Sequence, residues 1–154
     1  MQRLHFIKAA SALLLSSLAF ASFAAEKGTA PEAEAMVKKA VALIKAAGPE
    51  KAFEEITNGK SLKDRDLYVF VYDLNGKCLA HGANPKLVGK DLMGMKDPDG
   101  KPLIKILVDV AKDKGKGWTE TVKFRNPTND QIQTRVNYIE RVGDYAVGSG
   151  VFKD

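Results

Sequence analysis

Apolar residues in the first third of the chain recur at intervals of three and four, which predicts two amphipathic helices. A capping-box pattern at 29–32, with a proline in the first turn, opens the first helix. Gly48 ends this helix, and a second one extends from Pro49 to Asn58 and Gly59. The apolar stripe of the first helix consists of Met36, Val37, Ala40, Val41, Ile44 and Ala47.

The pattern then changes to one typical of β-strands. Residues 67–72 are apolar on both faces, which indicates a central strand that is covered on both sides. Asn75 and Gly76 predict a tight hairpin to a return strand at 78–81. A connection rich in Gly, Pro and Asp and a helix at 103–111 follow. Three more strands are predicted over 118–125, 132–142 and 145–152. This order predicts an α+β fold in which helices pack on a five-stranded, mainly antiparallel sheet.

The N-terminal segment has the layout of a secretory signal. Arg3 and Lys8 precede an apolar run at 9–21, and small residues around Ala24 offer cleavage sites. The alternative is an uncleaved membrane anchor, but the run is shorter than the ~20 apolar residues that span a bilayer. We therefore expect a signal peptide at 1–25 and a single domain at 26–154. No second hydrophobic run follows, which predicts a soluble periplasmic protein.

Composition and charge narrow the classes of protein. A chain of 154 residues has room for one domain. The single cysteine excludes a disulfide framework and a cysteine-rich metal cluster. A formal net charge of +5 is too small to indicate a class of partner. The expected periplasmic location argues against nucleic acid as a partner.

The sequence offers little for catalysis or metal binding. It contains no P-loop, no dinucleotide fingerprint and no paired catalytic groups, so we expect neither an enzyme nor a cofactor. The run at 97–100 resembles a calcium loop but lacks further ligands at the required spacing, which favours a solvated turn. Cys78 is interpreted as a small buried apolar residue rather than a reactive thiol.

Aromatic side chains alternate along two of the predicted strands. Tyr68 and Tyr72 fall on one face of the strand at 67–72. Strict alternation over 118–125 places Trp118 on the same face as Val122 and Phe124. Such faces supply walls for a binding pocket or, in the simpler interpretation, part of a core.

One basic residue stands in a strand with few charges. Arg135 and Asn137 share a face because they are two positions apart. A guanidinium beside aromatic and amide side chains is a good receptor for a carboxylate. The alternative is a strand arginine that reaches solvent or pairs with Glu140.

Several motifs in order resemble the single Cache family, type 2. The segments LAHGANPKLVGKDL at 79–92 and VGSGVF at 147–152 carry most of the resemblance, which extends over about 31–152. The resemblance implies an extracytoplasmic sensor domain with a PAS-like sheet. Family members usually have a basic residue, most often lysine, at the position of Arg135, and they bind small organic acids.

The resemblance also implies a location and a set of partners. Family members typically lie between two membrane spans of chemoreceptors or sensor kinases. This chain shows no second span and no signalling domain, and it resembles the stand-alone secreted members. The resemblance to paired receptor domains leaves two possibilities open, a monomer or a homodimer formed through the first long helix.

Two functions are consistent with these observations. The first is a periplasmic binding domain for a small organic acid, which passes its occupancy to a membrane partner or buffers the ligand. The second is an interaction or scaffold domain without a functional pocket. For the first, Arg135 would bind the carboxylate, and His81 would either contact the ligand or cap the hairpin. The other predicted wall residues are Tyr68, Tyr72, Trp118 and Asn137.

The signal layout leads to a direct prediction. We expect the secreted protein to begin near Ala25 or Glu26, because cleavage follows the small residues that end the apolar run. Intact mass measurement of the periplasmic fraction checks this. Recovery of the full-length chain in membranes would contradict it and support the anchor.

Overall fold

The computed structural model describes residues 26–153, and the signal peptide predicted at 1–25 lies outside them. No helix in this part of the chain is long and apolar enough to cross a membrane. The helices are α1 (Ala30–Ala47), α2 (Pro49–Asn58) and α3 (Leu103–Asp109), with a short 3-10 turn at Pro85–Leu87. The strands are β1 (Lys63–Asp64), β2 (Leu67–Asp73), β3 (Cys78–His81), β4 (Lys116–Trp118), β5 (Val122–Arg125), β6 (Ile132–Val142) and β7 (Tyr145–Lys153).

The strands form one antiparallel sheet with β2, β7 and β6 at its centre. Two short strands make up each outer position: β1 and β3 both pair with β2, and β4 and β5 both pair with β6. The sheet is therefore five strands wide, and the predicted α+β fold is confirmed. Gly76 and Gly143 have φ angles of 90° and 54° in the two tight hairpins, a region that favours glycine.

The central strand β2 is buried on both faces, as its apolar sequence predicts. Val69 and Val71 pack against α1 and α2, on what we call the α1 side of the sheet. Tyr68, Phe70 and Tyr72 pack on the opposite face, together with α3, which we call the α3 side. The two hydrophobic clusters thus lie on opposite faces of the sheet, and β2 contributes to both.

Helix α1 begins at the predicted capping box. The Thr29 hydroxyl accepts the backbone N–H of Glu32, and the Glu32 carboxylate accepts the N–H of Thr29 in return. Most of the predicted stripe is buried against the sheet, but Ala47, in the last turn, is exposed. The buried residues of the stripe are Val37, Ala40, Val41 and Ile44.

The connection between β3 and α3 is anchored more firmly than a solvated turn. Asp97 is buried, and its carboxylate accepts the backbone N–H groups of Asp99, Lys101 and Lys123 at 2.9 Å each. Burial opposes ionisation, but these three hydrogen bonds outweigh it and lower the pKa of Asp97. The carboxylate therefore ties this turn to β5.

The strand predicted at 118–125 is interrupted, which corrects the placement of Trp118. Trp118 lies opposite Tyr138, but Val122 lies opposite Arg135, so one extra residue stands between the two pairings. Thr119 bridges the break, because its hydroxyl accepts the N–H of Asn137 at 3.1 Å. The shift places Trp118 on the α1 side and Val122 on the α3 side.

Cys78 is a buried apolar residue, as predicted. It is fully buried on the α3 side, and its thiol donates to the carbonyl oxygen of Ala80 at 3.7 Å. Burial raises the pKa of the thiol to about 11, so Cys78 is protonated at neutral pH.

The buried face of α1 supports a stability prediction. We expect Val41→Asp to unfold the domain, because an unpaired buried carboxylate costs several kcal/mol against a typical total of ~5–15 kcal/mol. Circular dichroism and light scattering measure folding and mass. The adjacent, exposed Ala42 provides a matched control, since Ala42→Asp leaves the core intact. A folded monomer of Val41→Asp from a dimeric parent would instead place Val41 in a dimer interface.

Candidate functional site

Arg135 projects from β6 into the α3 side of the sheet. Its exposed fraction is only 3%, although it carries a permanent charge. Four aromatic rings surround the guanidinium carbon at 4.6–5.5 Å from their centroids. They belong to Tyr68, Phe70, Phe124 and Phe152. This aromatic cage fixes the position of the charge and excludes water from it.

The guanidinium uses only part of its hydrogen-bonding capacity. Its Nη1 atom donates to the Tyr68 hydroxyl at 2.5 Å, while Nε and Nη2 are buried without a partner. Those two nitrogens form one edge of the guanidinium, whose spacing matches the two oxygens of a carboxylate. No carboxylate within residues 26–153 forms an ion pair with Arg135. Glu140, the alternative partner, instead accepts from the Tyr138 hydroxyl at 3.4 Å.

Two glycines of β7 make room for this arrangement. A Cβ atom at Gly150 would lie 2.0 Å from Arg135 Nε and 2.3 Å from Asn137 Oδ1. A Cβ at Gly148 would lie 2.4 Å from the Phe70 ring. The alternation along β7 places both glycines under the site, because β7 pairs with β6 and β2. The Gly-Ser-Gly segment is therefore a steric requirement of the site.

His81 is held in one tautomer by the loop that follows it. Its Nδ1 atom accepts the backbone N–H groups of Ala83 at 3.3 Å and Asn84 at 2.9 Å. Burial, reinforced by the charge of Arg135, lowers the pKa of His81 to about 3. The imidazole is thus neutral, with its proton on Nε2. His81 therefore caps the loop, which was one of the two alternatives from the sequence, and its Nε2–H is a hydrogen-bond donor; a ligand contact stays a prediction.

Tyr72 and Asn137 lie near Arg135 on the same side of the sheet. Neither side chain has a hydrogen-bond partner among the residues that the structure describes. Burial raises the pKa of Tyr72 far above its ordinary value, so its hydroxyl stays protonated and can donate.

These side chains enclose a small cavity and adjoin a larger one. The inner cavity has a volume of about 20 Å³, enough for about one water molecule. It is lined by Phe70, Tyr72, His81, Leu103, Ile104, Leu107, Val122, Phe124, Arg135 and Asn137. The outer cleft has a volume of about 230 Å³. It is lined by Tyr68, His81, Ala83, Asn84, Leu87, Phe124, Arg125 and Pro127.

Five of the six residues predicted from the sequence are therefore brought together, and one is not. Arg135, Tyr72, His81 and Asn137 line the inner cavity, and Tyr68 holds Arg135 from the side of the outer cleft. Trp118 lies on the α1 side, where its ring centroid is 5.5 Å from that of Tyr138.

The apolar walls of the inner cavity were missed by sequence reasoning. Leu103, Ile104 and Leu107 of α3 cover the cavity, but their spacing is that of any helix packed on a core. The roles of Gly148 and Gly150 could have been inferred from the sequence, because two glycines two positions apart in a strand indicate a close approach on one face.

A family model described as single Cache domain 2 matches residues 7–152 of this chain. The chain belongs to the single Cache domain family. Domains of this family are extracytoplasmic sensory modules that bind ligands.

Relatives of this Cache domain are signalling proteins. The methyl-accepting chemotaxis protein McpP of Pseudomonas putida is 31% identical over 93 residues, which is 59% of this chain and 17% of that protein. The chain thus matches less than a fifth of this curated relative.

Two solved structures are similar over most of the chain. A methyl-accepting chemotaxis protein from Vibrio parahaemolyticus has a TM-score of 0.69 and 25% identity, covering 80% of this chain and 88% of that one. A Cache chemosensory domain described as recognising carboxylic acids has a TM-score of 0.64 and 26% identity, covering 79% and 86%.

The close approach at Gly150 gives a prediction about the Cache site. We expect Gly150→Ala to destabilise the domain by about 1–3 kcal/mol, because the caged guanidinium has little room to move away from the new methyl group. Denaturant unfolding measures this. Ser149→Ala, on the same strand but facing the α1 side, is the control.

A double-mutant cycle identifies the cause. If Gly150 acts through Arg135, the cost of Gly150→Ala should fall by about 1 kcal/mol or more in an Arg135→Ala background. An unchanged cost would show that the glycine makes room for Asn137 or the sheet and not for the arginine.

Proposed function

We propose that this Cache domain is a periplasmic receptor for a small organic acid with one carboxylate, bound by Arg135. The buried, unpaired edge of the Arg135 guanidinium is the observation that carries this proposal. A charge that has lost its water and has no counterion is costly to the protein. A carboxylate ligand would supply both the missing charge and the missing hydrogen-bond acceptors.

The charge of the inner cavity favours one carboxylate rather than two. Arg135 is the single charged residue among those that line it, and His81 is neutral at physiological pH. A second carboxylate would therefore be buried without a partner. Tyr72, His81 and Asn137 can each donate a further hydrogen bond to the single carboxylate that Arg135 binds.

The rest of the inner cavity is apolar and small, which favours a short aliphatic chain. Charge-assisted hydrogen bonds contribute ~1.5–3 kcal/mol each, and micromolar affinity requires ~8 kcal/mol. Two bonds from Arg135 with one or two from the neutral donors, together with modest apolar contact, reach this range.

The comparisons support the role in signalling. The similarity to chemotaxis proteins suggests that the domain passes its occupancy to a membrane partner, and one structural relative is described as recognising carboxylic acids. The secretory signal at 1–25 remains part of the proposal, since it would deliver the domain to the compartment where such receptors meet their ligands.

Arg135 variants test the proposed ligand. We expect Arg135→Met to raise the dissociation constant by about a hundredfold or more, since ~3 kcal/mol of charge-assisted bonding is lost. Methionine keeps much of the volume inside the aromatic cage. Arg135→Lys keeps the cation and should retain measurable binding. Calorimetry with a panel of short monocarboxylic and dicarboxylic acids measures these affinities.

The exposed arginine at the other end of β6 offers a matched control, because Arg141→Met removes a guanidinium that donates to Gly143 outside the site. Equal binding of an acid to wild type and Arg135→Met would show that Arg135 does not bind the carboxylate. Absence of binding by any acid in the panel would favour an interaction domain instead.

A further inference from the structure

The inner cavity and the outer cleft are separate but have two walls in common. His81 and Phe124 line both of them. The inner cavity, at about 20 Å³, holds about one water molecule, whereas even the shortest carboxylic acids with a methyl group are several times larger. The outer cleft is larger and is rimmed by the exposed residues Asn84, Arg125 and Pro127. An acid that reaches Arg135 must therefore displace a wall.

The two shared walls differ in how firmly they are held. The His81 ring accepts two backbone N–H groups, and the residue is almost fully buried. Phe124 is half-buried, has no hydrogen-bonding group in its side chain, and lies on β5, which pairs only with β6 in the described sheet.

The backbone next to Phe124 is fixed, which limits the movement to the ring. The N–H of Lys123 donates to the buried Asp97 carboxylate, and β5 keeps its register with β6. Rotation of the Phe124 side chain is thus the smallest change that joins the two cavities.

We infer that Phe124 is the movable wall of the site, through which an acid enters from the outer cleft and which sets the length of the acid that fits. This inference rests on the proposed function. In its observed position the ring lies 5.4 Å from the guanidinium carbon and lines both the inner cavity and the outer cleft. Longer acids would keep their carboxylate at Arg135 and extend past Phe124 toward Leu87 and Pro127.

Removal of the ring should change which acids bind, and not only how tightly they bind. We expect Phe124→Ala to favour longer acids, with the affinity for pentanoate relative to acetate rising about tenfold over wild type, or about 1.4 kcal/mol. Calorimetry with the straight-chain series from acetate to hexanoate measures this ratio for the wild type and the variant.

Phe152→Ala provides the matched control. Its ring centroid lies 4.9 Å from the same guanidinium, but the residue lines neither of the two cavities. Its loss should weaken all the acids by a similar factor and leave the ratio unchanged.

If Phe124→Ala fails to fold, Phe124→Trp gives the complementary test. The larger ring should slow association measured by stopped flow and shift the preference toward acetate. An unchanged chain-length profile in the folded Phe124 variants would overturn this inference while leaving the acid receptor in place. Failure of wild type to bind any acid of the series would overturn the proposed function and this inference with it.

Discussion

The burial of one uncompensated positive charge governs the α3 side of this domain. Arg135 is held by one hydrogen bond to Tyr68 and by contacts with four aromatic rings, while one edge of its guanidinium has no partner. Cation–π contacts offset only part of the lost hydration, since each contributes ~0.5–2 kcal/mol. Glycines lie beneath this charge because a side chain there would meet the guanidinium, and a histidine that burial keeps neutral lies beside it.

The two faces of the sheet differ in role: the α1 side carries a packed core, and the α3 side carries the candidate site. The α1 side contains a hydrophobic cluster made mainly of valine, alanine and isoleucine, which packs α1 and α2 on the sheet. The α3 side contains the arginine, the cavities and two further donor side chains, Tyr72 and Asn137, that have no hydrogen-bond partner among the described residues. Because β2 contributes Val69 and Val71 to one side and Tyr68 and Tyr72 to the other, the position of the site depends directly on the packing of the stable layer.

Much of this could be predicted from the sequence, and the failures have physical causes. The hydrophobic periodicity predicted the helices and the number of strands across the sheet. The two-residue spacing correctly predicted that Arg135 and Asn137 lie on the same face of one strand. Trp118 was misplaced because a single extra residue at the break after it inverts the faces, and no local signal marks that break. The roles of Leu103 and Phe124 depend on contacts between distant elements, which spacing along one strand or helix does not reveal.

The division of both outer strands has a consequence for how copies of this domain can associate. A long, straight edge strand offers unpaired backbone groups to any neighbouring chain and invites strand addition. Here each edge consists of two short segments, one edge is broken at Thr119, and the Asp97 carboxylate already accepts the N–H of Lys123. The sheet therefore presents little template for edge-to-edge aggregation. A specific assembly would depend on side-chain surfaces instead, where complementarity of shape selects the partner.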